Sequence, residues 1–327
     1  METTTPTIEL AALTPDDAVA ASDLSDRVWR AYDAALGQPE RPPHSDDEVA
    51  RSRRRFAHQA QNDPDDSHAA WQGDRLVGVG LARRREAFWG LSLLIVDPDV
   101  QGQGVGRRLL DAALGSVEGA AVAMIASSRD PRAMARYRLA GFRLHPALRA
   151  GGRLDRSALP AVAGVRDGHD GDHPRIDTVG RQLRRGGYGP DLRLFAEDAH
   201  LLVVERGRRF AWAFVSGADV AQVGGTDEEV ARDALVAGLA SAEPEPGPAG
   251  DSQPEGDSKP GAGAGDSEPG AGDSQPGDDA TVRHLTAEQD WAVEAVLSAG
   301  LRLDTSGPIC LRGAAPPTPY VLNGMIF

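Results

Sequence analysis

The chain has 327 residues, 40% hydrophobic and 26% charged, with 35 basic against 49 acidic side chains and one cysteine, Cys310. That length suits two domains, no apolar run approaches the roughly 18 residues of a membrane helix, and a lone cysteine excludes an internal disulfide or a Cys-rich metal knuckle. The acidity is local: residues 243–280 hold ten acidic groups against Lys259, nine of the fourteen net negative charges, so the rest is mildly acidic and lacks the basic footprint of a nucleic-acid binder.

The N-terminal Met-Glu-Thr-Thr-Thr-Pro has neither a basic flank nor an apolar stretch, so no secretory signal is read there and a cytoplasmic protein is expected. Thr7 to Leu10 reads as a strand. Pro15-Asp16-Asp17 opens a helix whose apolar positions Val19, Leu24, Val28 and Trp29 carry it to about Leu36, and a very basic helix over 46–60 follows the loop Pro39 to Ser45. Gly73-Asp74 joins two hairpin strands, Ala69 to Gln72 and Arg75 to Arg84. Leu91 to Val96 is a continuous apolar run ending at Asp97-Pro98, as a buried central strand should. A helix from Gly104 to Leu114, a strand over 121–127, a helix from Asp130 to Ala140 and a strand from Phe142 complete a mixed α/β order.

Two motifs carry chemistry. Gln101-Gly102-Gln103-Gly104-Val105-Gly106 lies between a strand and a helix beginning at Arg107. Its glycines permit positive φ and close approach, and the helix start leaves N–H donors free for a pyrophosphate. The dinucleotide fingerprint fails because the third glycine comes one residue early, with Arg107 in its place, and the Gly-Lys-Ser/Thr of a Walker loop is missing. Downstream, Asp130 can cap a helix, Pro131 suits its first position, and Ala133, Tyr137 and Gly141 are spaced four apart on one face. Tyr137 by itself reads equally as a half-buried packing residue.

Together, strand, Gln-x-x-Gly-x-Gly, helix, strand and Ala-x-x-x-Tyr-x-x-x-Gly-Phe make residues 7–145 resemble the GCN5-related N-acetyltransferase (GNAT) family. The resemblance implies that Leu94, Ile95 and Val96 offer backbone groups to the pantetheine arm of acetyl-CoA where their strand splays from the one at 121–127. It implies further that Gln101, Gly102, Gln103, Gly104, Val105, Gly106 and Arg107 bind the pyrophosphate and that Tyr137 lies near the thioester sulfur. Asp130 stands where the family often has Asn, keeping the helix cap but bringing a negative charge toward the cofactor. Aminolysis requires a neutral amine, although an ordinary Lys-like amine is less than about 0.1% neutral at pH 7, and it requires a donor to the leaving thiolate, for which a phenol suits. Tyr137 is therefore the expected acid. Ser92 and Leu91 occupy the central-strand positions where many members carry a Glu base, and Glu86 lies too far upstream, so no base is assigned.

The second half reads as a worn copy. Strands at 200–205 and 209–216 flank Arg206-Gly207-Arg208; Thr226 with Glu229 forms a capping box before a helix from Val230 to Ala240; a strand at 281–285 and a Thr286/Gln289 capping box open a last helix. Val296 stands where the tyrosine would be, and no Gln-x-x-Gly-x-Gly precedes Thr226. Between these elements, Gly-Asp-Ser-x-Pro recurs from 250, 256, 265 and 272 in a segment too poor in apolar side chains to order itself. The organisation expected is two tandem GNAT-like domains of mixed α/β class: an acetyl-CoA-binding domain over 1–149 and a degenerate one over 150–327, the latter holding a disordered insert at 243–280. His169-Asp170-Gly171-Asp172-His173 reads as a solvated loop, and no metal is expected. Arg51 to Arg55 and Arg83 to Arg85 read as solvated arginine runs or phosphate grips, and Asp46-Asp47-Glu48 as a helix start or an attraction for an amine. The expected activity is transfer of an acetyl group from acetyl-CoA to the primary amine of a small molecule or peptide, without nucleic-acid or membrane partners. The alternative is a non-catalytic acyl-CoA-binding protein on the same fold.

Overall fold

The computed structural model describes residues 7–38, 40–243 and 279–324. The first half runs β1 (Ile8–Ala12), α1 (Ala18–Ala35), α2 (Asp46–Asn62), β2 (Ser67–Gln72), β3 (Arg75–Arg85), β4 (Phe88–Val96), α3 (Val105–Ala113), β5 (Val122–Ala126), α4 (Pro131–Leu139) and β6 (Arg143–Gly152). The second half repeats this order element by element: β7 (Val165–Asp167), α5 (His173–Arg184), α6 (Asp191–Asp198), β8 (His200–Arg206), β9 (Arg209–Ser216), β10 (Asp219–Gly225), α7 (Glu228–Ser241), β11 (Ala280–Leu285), α8 (Asp290–Ser298) and β12 (Arg302–Arg312). A short β13 (Tyr320–Val321) follows. Apart from its ends, the segment read as a disordered insert lies outside the described residues.

The local signals explain most of these boundaries. Ser45 accepts from the Glu48 N–H at 3.3 Å while the Glu48 carboxylate accepts from the Ser45 N–H at 2.6 Å, so Glu48, the last of the acidic triplet that opens α2, completes a capping box. Asp130 accepts from the Arg132 N–H at 2.8 Å, and the Thr286/Gln289 box forms as read. The other box does not form: Asp227 caps α7 by accepting from the Val230 N–H at 3.3 Å, while Thr226 accepts from Phe210 N–H at 3.1 Å. The segment read as a loop at 169–173 is a turn, His169 accepting from Gly171 N–H at 3.0 Å, that leads directly into α5.

All strands join one mixed sheet in the order β1-β2-β3-β4-β5-β12-β6-β11-β10-β9-β8-β7, with β13 on β10. Its centre is an exchange between halves. β5 pairs with β12 (Cys310 opposite Ile125), β12 pairs with β6 (Cys310 opposite Leu144), and β6 pairs with β11 (Ala150 opposite Val282), so the sixth strand of each half lies beside the fifth strand of the other. The division at 149/150 falls inside β6. On β12, Ile309 and Leu311 enter a core with Val122, Met124, Trp212 and Tyr320, whereas Cys310 enters the opposite one with Trp89, Tyr137 and Phe142. Each fully buried side chain of this size stabilises by about 1.5–3 kcal/mol, so β12 holds both halves together.

Candidate active site

β4 and β5 run parallel and are paired from Phe88 opposite Val122 to Leu91 opposite Ile125, and there the pairing stops. A bulge in the β3–β4 ladder coincides with this point, since Leu93 pairs with Leu81 and Leu91 with Ala82, leaving Ser92 as the extra residue. Leu94, Ile95 and Val96 thus keep their β3 partners Gly80, Val79 and Gly78 and turn an unpaired edge toward the gap, as the resemblance implied. One acceptor on that stretch is taken: Val96 C=O receives Gln101 Nε2 at 3.1 Å. Beyond it, the Asp97 carboxylate accepts from Asp99 N–H at 3.0 Å and from Arg27 and Arg75 at 2.9 and 2.8 Å, fixing where the strand ends and the glycine loop begins. Burial alone would raise that carboxyl, yet these donors hold it below the usual carboxylate range.

Gly102 and Gly104 have φ of +83° and +84°, a region costly for other residues, and Gly104 is the cap residue of α3 with no side-chain hydrogen bond to the helix start. Val105 and Gly106 are buried, while Gln101, Gly102, Gln103 and Arg107 are exposed. A Cβ on Gly106 would lie 3.2 Å from Arg136 Nη1. The guanidiniums of Arg107 and Arg136 have no hydrogen bond or ion pair among the described residues. The N–H groups at the start of α3 and two guanidiniums without a carboxylate partner are therefore of the kind that can receive an anion. Arg136 was missed in the sequence because only the Ala133–Tyr137–Gly141 face of α4 drew attention. Asp130 brings no free negative charge, its Oδ1 accepting both Arg132 N–H and Arg132 Nε, and Arg132 also reaches Gln101 Oε1 at 3.0 Å.

Tyr137 is 5% exposed, packed among Trp89, Leu91, Phe142 and Cys310, and its hydroxyl makes no hydrogen bond to a described residue. Burial, reinforced by Cys310, pushes the phenol above its ordinary range, and burial pushes the Cys310 thiol up to about 12.

On the other face, α1 and α2 stand over β3 and β4 and enclose a cavity of about 460 Å³ that reaches Ser92 and Leu93 at the bulge. Leu194 of α6 and Gly324 also line it, so the second half contributes to its wall. Ser92 donates to Leu81 C=O at 3.2 Å and supplies no base. Two imidazoles that drew no notice in the sequence line the cavity: His58 Nε2 is 3.1 Å from buried Asp191, and His44 Nε2 is 3.1 Å from Asp26. An imidazole there can accept a proton from an ammonium. Arg83 is buried, not a solvated run. No group of three or more metal-ligating side chains occurs among the described residues, and no described helix is long and apolar enough to cross a membrane.

A family model for an acetyltransferase (GNAT) domain matches residues 41–150, the stretch containing the splayed strand, the glycine loop and Tyr137. The chain carries a GNAT domain. Its fold is similar along its whole length to that of a putative acetyltransferase from Pyrococcus horikoshii, at 14% identity over 98% of this chain and 96% of that one, with a TM-score of 0.68. A GCN5-related N-acetyltransferase from Kribbella flavida is also similar, at 15% identity over 94% of this chain and 72% of that one, with a TM-score of 0.51. No curated protein sequence matches the chain significantly. Both structural likenesses are too remote in sequence to carry more than the fold, and they extend it past the matched GNAT domain into the second half.

Proposed function

We propose that the N-terminal GNAT domain transfers an acetyl group from acetyl-CoA to a primary amine held in the α1–α2 cavity. The observation that carries this reading is the gap between β4 and β5, with an uncapped α3 and two unpartnered guanidiniums at one end and the Tyr137 hydroxyl and the Ser92 bulge beside it. Acetyl-CoA would supply a thioester carbonyl open to attack. Gly102 to Gly106, Arg107 and Arg136 would hold its diphosphate, Leu94 to Val96 its pantetheine arm, and Tyr137 would donate to the leaving sulfur. Nucleophile and thioester would meet at the bulge, where the cavity opens against β4. Release of free thiol from acetyl-CoA by the intact protein, measured across a panel of primary amines, tests this. Amine-dependent turnover is expected, whereas binding of CoA without turnover would leave a carrier of acyl-CoA instead of an enzyme.

The second half is proposed to bind no CoA. β13 occupies the equivalent edge of β10, with Tyr320 opposite Gly224 and Val321 opposite Val223. α7 is already capped by Asp227, a carboxylate paired with Arg209, and buried Val296 replaces the tyrosine on α8. The contrast yields a prediction. Gly104→Asp sets a carboxylate at the start of α3, where it would repel a diphosphate, although at a positive φ it cannot copy the extended Asp227 cap of α7. Calorimetry should show CoA affinity reduced by about 10- to 100-fold, the worth of one or two charge-assisted bonds, and the melting temperature should fall by the few degrees that about 1 kcal/mol of positive-φ cost implies. Unaltered affinity would remove the loop from the cofactor site.

A further inference from the structure

The cavity over β4 differs in charge along its length. Its lining near the start of α2 is of mixed sign, with Glu48 and, from α1, Asp26, the latter 2.9 Å from Arg30 and 3.1 Å from His44. Three to seven residues further along α2, about 5–10 Å at 1.5 Å per residue, it becomes basic, with Arg51, Arg55 and, from β3, Arg83. Leu81 and Arg83 are two residues apart and share a face of β3, and Leu81 pairs with Leu93 at the bulge, so Arg83 stands about 7 Å from the point where acyl transfer is placed.

The basic end is not neutralised. Arg83 is 6% exposed; its Nη2 donates to Gln59 Oε1 at 2.6 Å and its Nη1 lies 3.2 Å from Asp191, but its Nε is buried without a hydrogen bond. Asp191 is shared with Arg85 at 2.9 Å and His58 at 3.1 Å, and Arg85 takes Asp63 at 2.6 Å. Arg55 shares Asp198 with Arg54, at 3.3 and 2.8 Å. Arg51, half-buried and lining the cavity, makes no hydrogen bond or ion pair to a described residue, its nearest acidic influence being Glu48 one turn away. Five guanidiniums therefore face four carboxylates, Asp63, Asp191, Asp198 and the Glu48 near Arg51, and burial together with Arg51 lowers the Arg55 guanidinium from its usual range despite Asp198. A buried donor left unmade and a net positive charge at a cavity end are the features of a site that lacks its anion.

We infer that the acceptor is an amine that also bears an anionic group, carboxylate or phosphate, seated against Arg51, Arg55 and Arg83 while its amine reaches the Ser92 bulge. This assignment rests on the acyl-transfer reading for the role of the amine, and the anion subsite is testable without turnover. Titration of 6-aminohexanoate, 6-aminohexyl phosphate, 6-aminohexanamide and 1,6-diaminohexane into the full-length protein, with and without CoA, reads it directly. Either anionic amine should bind about 10- to 100-fold more tightly than the amide and the diamine, and whichever of the two binds more tightly identifies the anion. Arg51→Ala should abolish most of that preference and Arg51→Lys should retain part of it, with melting temperatures nearly unchanged because Arg51 makes no hydrogen bond or ion pair to a described residue. Equal affinity for amide and acid, preference for the diamine, or an undiminished preference in Arg51→Ala overturns the inference. Selective binding of an anionic amine without thiol release from acetyl-CoA would instead defeat the acyltransferase reading and leave the subsite standing.

Discussion

Replacing Tyr137 by Phe should lower kcat about 100-fold while leaving the KM for acetyl-CoA within a few-fold. General acid groups are typically worth about 10²–10⁴, and the environment of Tyr137 places it at the low end. Burial and Cys310 raise the phenol above its ordinary range, so full proton transfer to a thiolate whose conjugate acid is near 8.5 is uphill. On the proposed mechanism the hydroxyl would therefore act mainly by hydrogen-bond donation to the sulfur, worth about 1.5–3 kcal/mol with a charged partner. The sign of the shift gives a second readout. A raised pKa keeps the donor protonated as pH rises, so kcat should not fall between about pH 7 and 9 on account of this group. Retention of at least half the wild-type kcat by Tyr137→Phe would remove Tyr137 from the mechanism. An alkaline decline in that window that disappears in the variant would show a phenol held below its ordinary range.

Asp191→Ala should destabilise the protein by about 3–5 kcal/mol, the usual cost of removing one partner from a buried ion pair. Asp191 opens α6 in the second half and meets Arg83 and Arg85 of β3 and His58 of α2 in the first. Without it Arg85 keeps Asp63, but Arg83 keeps only Gln59. Burial would raise this carboxyl, yet Arg83, His58 and Arg85 hold it well below the usual carboxylate range. Its contribution is therefore fully present above the unfolded value of about 3.9 and is lost as pH falls below that. Urea unfolding at pH 7 should show the deficit, and the difference between wild type and variant should shrink as pH falls below about 4. A variant as stable as wild type at pH 7 would mean that the arginines find other partners.

The first half was legible because its signals are local. Asp97-Pro98, the Gln101 to Gly106 loop, the Asp130 cap and the Tyr137–Gly141 spacing each lie within a few residues of what they specify, and the glycine dihedrals and the splayed strand agree with them. The cavity was less so: His58 and Arg83 acquire their meaning from Asp191, more than a hundred positions away. In the second half α5 begins at His173-Pro174, a helix-start signal that the Gly- and Asp-rich residues before it obscured. The strand exchange left no mark at all, because the continuous apolar run Pro308 to Leu311 of β12 suits a strand buried on both faces whether it pairs with β5 or with β11.

The exchanged central strands also bear on how such a chain can be divided. A fragment ending after β6 would present three unsatisfied ladder edges, one along β5 and both edges of β6, each a template for another copy. Two such fragments could close those ladders on each other, so the linker between β6 and β7 joins covalently what would otherwise be a symmetric pair. Once joined, the copies no longer need the same sequence, and one cleft can be given over to structural duty while its twin retains the chemistry.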